Sequence, residues 1–263
     1  MSDKTGVVDI AKGLVELGAS ILSTGGTAKA LREAGLEVTE VSSHTGSPEI
    51  LEGRVKTLHP KIHGGLLGKR SQADHVKLMK AQGIAPIDVV VVNLYPFVQT
   101  VQKKETTLED ALENIDIGGP TLIRAAAKNF LDVLVVVDPV DYGWMSRRMG
   151  VGGDGLPDIS TEKRRELARK AFQHVAWYDT AVARYLGNSR PSGSELTLGY
   201  TRISELRYGE NPHQKGSLYT TKNNLGLEKV HGKNLSYNNY NDIYAALEIT
   251  NSFPKNQGTV IVK

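Results

Sequence analysis

Two runs of β-branched residues, "DVVVVNLYPF" at 88–97 and "DVLVVVD" at 132–138, constrain the fold more than any other feature of this chain. Neither shows the in-out alternation of a half-exposed strand, so both read as strands buried on two faces, the habit of a parallel sheet covered by helices. The chain between them supplies the covering. "TTLEDALENI" carries Thr107 and Asp110 in a weaker version of a capping box, and "PTLIRAAAKNF" has Pro120 in its first turn. Upstream, "TGVVDIAKGLVELG" repeats apolar residues at Val7, Ile10, Ala11, Leu14 and Val15, one helix face closed by Gly18. "ILSTGG" and "VTEV" read as strands around the helical "TAKALREAGL". The expected fold is α/β: an open, mostly parallel sheet flanked by helices.

The pattern changes after Met149. "GVGGDGLPD" reads as a flexible connection, and Ser160 to about Leu186 has the period of one long helix with Leu167, Ala171, His174 or Val175, and Tyr178 on its apolar face. "GNSRPSGSE" reads as a second linker. Beyond Leu196 the sequence turns rich in Tyr, Asn and Gly, as though a further domain begins, and "GTVIVK" ends it with a strand.

The chemistry gathers in turns. "GRVKTLHPKIHGG" sets Arg54, Lys56, His59, Lys61 and His63 within thirteen residues without an acid. Over the whole chain 32 basic residues face 29 acidic ones, net +3, so this is a local anion site and not part of a nucleic-acid-binding field. "SDKTG" offers Ser2, Lys4 and Thr5, and "STGGT" offers Ser23, Thr24, Gly25, Gly26 and Thr27 after a strand, where amides at a helix start can cradle phosphate. Each turn alone is weak evidence; their sum with "RVKT" is stronger. Further along, Asn93 and Tyr95 end the first buried strand, Asp116 precedes a glycine pair and Lys128 lies within the next helix. An acid–base pair of that kind suits a condensation that loses water, although spacing alone favours a capping Asp116 and a solvated Lys128. His59 and His63 would share a face only on a helix, which Pro60 and the glycine pair oppose, so no metal is expected. With no cysteine, no apolar leader and no run of roughly 18 apolar residues, the expected setting is cytoplasmic, without disulfides or a membrane span.

"SDKTG", "STGGTAKAL", "GRVKTLHPKIHGG", "VVNLYPF", "NIDIGGPTLIRAAAKN", "LRYGENPHQ" and "LSYNNYND", in that order, resemble the bifunctional purine-biosynthesis enzymes that combine IMP cyclohydrolase with AICAR transformylase. The resemblance implies a methylglyoxal-synthase-like cyclohydrolase domain over 1–197 and an incomplete α/β transformylase domain over 198–263. It makes Ser2, Lys4, Thr24, Gly25, Gly26, Thr27, Arg54, Lys56 and Thr57 phosphate and ribose contacts, with the Arg54 guanidinium near the Thr24 to Thr27 turn. Asn93, Asp116 and Ile117 match base-side positions, and Tyr95, Asp116, Lys128 and Lys56 the catalytic group. The implied reaction closes formyl-AICAR to IMP without a cofactor. Arg207, Tyr208, Asn239 and Lys263 match positions that hold AICAR in the transformylase, whose co-substrate is 10-formyltetrahydrofolate.

Two departures from the family pattern carry expectations. The family has a strand before "SDKTG", so the first strand of the sheet is expected to be missing. Its transformylase half continues past Lys263, beginning with a histidine general base, so no formyl transfer is expected from this chain and the segment from Leu196 should be poorly ordered or an appendage. A homodimer is expected, both from the family and from the apolar surface of the long helix; nucleic acid and membrane partners are not. The competing readings within the same fold are a non-catalytic regulatory domain that binds nucleotide or phosphate, and methylglyoxal synthase.

Overall fold

The computed structural model describes residues 1–149, 159–187, 194–221, 225–255 and 257–262. They form two compact units, Met1–Leu196 and Thr197–Lys263. In the first, α1 (Val7–Glu16), β1 (Leu22–Ser23), α2 (Gly25–Glu33), β2 (Thr39–Glu40), α3 (Val41–Thr45), α4 (Pro60–Leu67), α5 (Ala73–Ala81) and β3 (Val89–Val91) are followed by α6 (Phe97–Val101), α7 (Leu108–Glu113), α8 (Gly118–Lys128), β4 (Leu134–Val136), α9 (Tyr142–Met149) and α10 (Thr161–Leu186). β1 pairs in parallel with β2, and β3 with β4, so the parallel α/β architecture is present as two ladders.

The "DVLVVVD" strand is the better buried of the two. Val133 to Val137 are each at most 4% exposed, whereas in β3 only Val90 is fully buried. Alternation explains how β4 fills both faces. Val133, Val135 and Val137 join Ile123 and Ala126 of α8 and Ala171 and Val175 of α10, while Leu134 and Val136 join Ile10 of α1 and Met145 of α9. Helices therefore cover both faces, as the unbroken apolar run required. On α10 the apolar face closes on Val175 and Tyr178.

Local signals set most boundaries. Thr107 and Asp110 form a complete reciprocal capping box on α7, and Gly18 (φ 82°) ends the turn after α1. Val15, expected on the buried face of α1, is 39% exposed. The expectation against a helix at "HPKIHGG" is corrected, since α4 starts at Pro60 with His59 as its N-cap. Proline at the first helical position gives up no intrahelical bond. The glycines are there for contact: a Cβ on Gly65 would meet Ala85 O at 2.6 Å. Buried Asn129 ties the far end of α8 to α4, donating to Leu66 O (2.9 Å) and Gly68 O (3.2 Å). The linkers "GVGGDGLPD" and, for the most part, "GNSRPSGSE" lie outside the described residues, as does Lys263.

The second unit holds a hairpin of β5 (Thr201–Glu205) and β6 (Ser217–Thr220) and the helix α11 (Tyr237–Asn251). This is regular structure, where poor order or a packed appendage was expected. α11 begins with a capping box between Ser236 and Asn239. The expected terminal strand is not formed: 258–262 is irregular, because no strand among the described residues lies alongside to complete its ladder.

Candidate active site

The glycine turn between β1 and α2 is where the separate cationic motifs meet. Thr24 caps α2 without its side chain, and Gly25 takes a left-handed conformation (φ 51°), so the first amides of the helix face outward. A Cβ on Gly26 would lie 3.7 Å from Lys4 Cε and 3.9 Å from Lys4 Nζ, and one on Gly25 would lie 4.0 Å from Lys56 Nζ. Two ammonium groups from distant parts of the sequence thus flank one helix N-terminus. The dipole and free N–H groups there favour an anion. The Met1 ammonium donates to Thr27 Oγ1 (3.3 Å); its pKa is lowered by burial and by Lys4, against the pull of Asp116.

The neighbouring wall is built from the end of β3 and the start of α8. Asn93, buried, accepts from the Ser2 and Asp3 amides (2.8 and 3.0 Å) and donates to Asp3 O (2.7 Å), which pins the "SDKTG" turn to the strand end. Asp116 Oδ1 accepts from Gly119 N–H at 2.8 Å, so the capping role is real, yet a carboxylate has a second oxygen to offer. Its own amide donates to the Tyr178 hydroxyl (2.7 Å), which in turn donates to Asn114 O (3.3 Å). Burial, Asp116, Asp179 and Tyr95 raise the Tyr178 pKa against that amide bond, keeping the phenol neutral. Thr57 Oγ1 sits 3.1 Å from where a Cβ on Gly118 would be, joining "RVKT" to the same helix start. Ile117 and Tyr95 are 56% and 48% exposed, accessible to a ligand.

Ser2, Lys4, Thr24, Gly25, Gly26, Thr27, Lys56, Thr57, Asn93 and Asp116 are therefore linked through these contacts, and Ile117 follows Asp116 in the chain. Two cations stand differently. Arg54 is paired with Glu113 at the end of α7. Lys128 is the last residue of α8, at the opposite end from Asp116; the ten steps from Gly118 to Lys128 rise about 1.5 Å each, about 15 Å along the helix axis. It opens onto a cavity of about 670 Å³ with Thr121, Arg124 and Ala125 on the same helix face, His59 and His63 of the α4 end, and Phe172 of α10. Arg124 stacks on the Phe172 ring at 5.7 Å. Among the described residues no group of three or more His, Asp or Glu side chains could hold a metal. In the second unit, Arg207 donates to the Tyr208 hydroxyl (3.2 Å) and stacks on its ring (4.9 Å), while Tyr208 and Asn239 both bond Ser236.

Sequence reasoning did not single out Glu49, Glu113 or the hydroxyl of Tyr178 as parts of this region. Tyr178 had a legible signal, a phenol on an otherwise apolar helix face that needs a partner when buried. The two glutamates had none.

Parallel strands under two helical layers, with a glycine turn opening α2 and a second glycine pair opening α8, define the class: a methylglyoxal-synthase-like domain, whose family model matches residues 6–121. A second model, the AICARFT/IMPCHase bienzyme, matches residues 126–263, and the chain belongs to that family. It is 51% identical over 260 residues to the bifunctional purine biosynthesis protein PurH of Bacillus cereus (strain B4264), covering 96% of this chain and 50% of that protein. It is 50% identical, with the same coverage, to PurH of Bacillus anthracis (strain A0248). The chain thus spans about half the length of the curated relatives it matches. Among solved structures, the crystal structure of ForH is 37% identical with a TM-score of 0.63, over 71% of this chain and 95% of that one.

Proposed function

We propose that the first unit is an IMP cyclohydrolase, closing the ring of formyl-AICAR to IMP with loss of water. The observation that carries this reading is the convergence of Lys4 and Lys56 on the Gly25–Gly26 turn, which suits a nucleotide 5′-phosphate, next to a wall of Asn93, Asp116 and Ile117 that suits its base. In the reaction the carboxamide nitrogen attacks the formyl carbon, a C–N bond forms, and the formyl oxygen leaves as water. Asp116 assists removal of the amide proton, Lys128 protonates the departing oxygen, and Tyr95 and Lys56 steady the developing charge. No cofactor takes part.

About 15 Å of helix axis separates the two ends of α8 that carry Asp116 and Lys128. We infer that Lys128 reaches the substrate of a second copy in a homodimer. A two-fold axis crossing the middle of α8 brings the C-terminal end of each helix to the N-terminal end of the other, and it covers the groove of Arg124, Lys128 and Phe172. Arg207, Tyr208 and Asn239 are proposed as part of an AICAR site, which in the full-length enzyme takes its formyl group from 10-formyltetrahydrofolate. The proposed setting is cytoplasmic; among the described residues no helix is long and apolar enough to cross a membrane.

The experiment is an absorbance assay of IMP formation from formyl-AICAR, beside a titration with IMP. Binding without turnover favours a regulatory domain and sinks the cyclohydrolase. Co-expressing Asp116→Asn with Lys128→Ala then tests the shared site: randomly mixed dimers regain about a quarter of wild-type activity if the site is shared, and none if it lies within one copy.

A further inference from the structure

The cations of "RVKT" are not bare. Lys56 Nζ lies 3.2 Å from Glu49 Oε2, and Arg54 is bonded to Glu113 Oε1. Both acids come from outside the motif, one from the preceding loop and one from the last residue of α7. The loop joining Glu49 to Lys56 is strained. Leu51 (φ 53°) and Glu52 (φ 56°) take the left-handed conformation next to Gly53 (φ 85°), a conformation that crowds the Cβ of a non-glycine residue. Packing does not repay Leu51, which is 66% exposed, and an isolated bridge, Ile50 to Val55, closes the loop with bonds of 3.3 and 3.4 Å. The Lys56 side chain reaches Glu49 by folding back over Gly53, where a Cβ would stand 2.5 Å from Lys56 Cε.

We propose that Glu49 and Glu113 are internal counter-ions that set the charge specificity of the phosphate site: a ligand gains Lys56, beside Gly25, by displacing Glu49, and recruits Arg54, two residues away in the chain, by displacing Glu113. The proposal rests on the glycine turn being that site. Exposed ion pairs are weak enough for a stronger anion to displace. A phosphate monoester near pH 7 brings close to two negative charges and replaces both acids. A phosphodiester brings one and leaves a cation to its glutamate, and an uncharged nucleoside replaces neither. The same displacement frees the strained loop to relax. Glu49 and Glu113 thus discriminate among ligands without touching the base.

The test is calorimetric titration of the chain with IMP, its methyl phosphodiester and inosine, for wild type, Glu49→Gln, Glu113→Gln, the double variant and Arg54→Ala, each checked for its unfolding midpoint. Each Gln variant is expected to bind IMP about two- to fivefold more tightly, and the double variant to bind the diester with a larger gain than the monoester. If a Gln variant unfolds early, Glu→Ser at the same position reads the same contrast. Arg54→Ala separates the two layers of the argument. If it leaves IMP affinity unchanged, the phosphate-site reading fails and the counter-ion proposal with it. If Arg54→Ala weakens IMP while the Gln variants bind equally or more weakly, the site stands and the counter-ion role is overturned.

Discussion

At the N-terminal end of α8, Asp116 is held by Gly119 N–H and the Tyr178 hydroxyl, with Thr57 against Gly118. At the C-terminal end Lys128 stands exposed on an open groove beside Arg124, with Asn129 behind it tying the helix to α4. One motif, "DIGGPTLIRAAAK", encodes both ends, and the helix between them drives them apart. A carboxylate fixed by its neighbours is placed to receive a substrate; a lysine on an apolar, basic groove is placed to meet something brought to it. Closeness in a sequence motif is therefore no measure of closeness in a site. A straight helix converts it into distance.

The largest effect expected falls on both ends alike and only on turnover. Asp116→Asn and Lys128→Ala should each lower turnover about a hundredfold or more, with IMP affinity much less affected, because acid–base groups act mainly in the transition state. Single-turnover kinetics with parallel IMP titrations check this, and equal losses in both would mark a structural role.

Next come two substitutions that should divide the ends. Gly119→Ala places a Cβ 2.6 Å from Leu94 Cδ2 and 2.7 Å from Asp116 Oδ2, and is expected to cost about 1–3 kcal/mol of stability while weakening IMP binding. Asn129→Ala strips Leu66 O and Gly68 O of a buried donor, at a similar cost of about 1–3 kcal/mol, but IMP affinity should hold. Denaturant unfolding and IMP titration of each variant sharpen the comparison; a loss of IMP affinity in Asn129→Ala would break it.

The smallest effect leaves α8 alone. His174 of α10 is half-buried, with its Nε2 enclosed and unpartnered among the described residues, and its pKa is lowered by burial and by Lys170, against the pull of Asp138. An unfolded histidine takes up its proton near pH 6.5 while the folded one resists, so this contribution is full above pH 6.5 and lost as pH falls through the lower folded value. Thermal unfolding midpoints between pH 7.5 and 5 should drop toward acid in wild type and less steeply in His174→Gln. Identical slopes would assign the drop to other groups.

The sequence by itself determined the local order of this protein. Val133 to Val137 required two covered faces, the Thr107–Asp110 pair set the start of α7, and the period of Ser160 to Leu186 set one long helix, because propensity, capping and apolar period act over a few residues. The glycine turns and the cations of "RVKT" were likewise legible as anion chemistry. Tertiary structure alone decided that Lys4 and Lys56 meet over Gly25 and Gly26, that Asn93 grips the "SDKTG" backbone, that Tyr178 supports Asp116 from α10, and that Glu49 and Glu113 occupy the cations. It also decided that α4 runs through "PKIHGG", since the close packing of 84–87 selects glycine there. These outcomes depend on how strands and helices cross, which brings together side chains tens of residues apart, and no local pattern carries that distance.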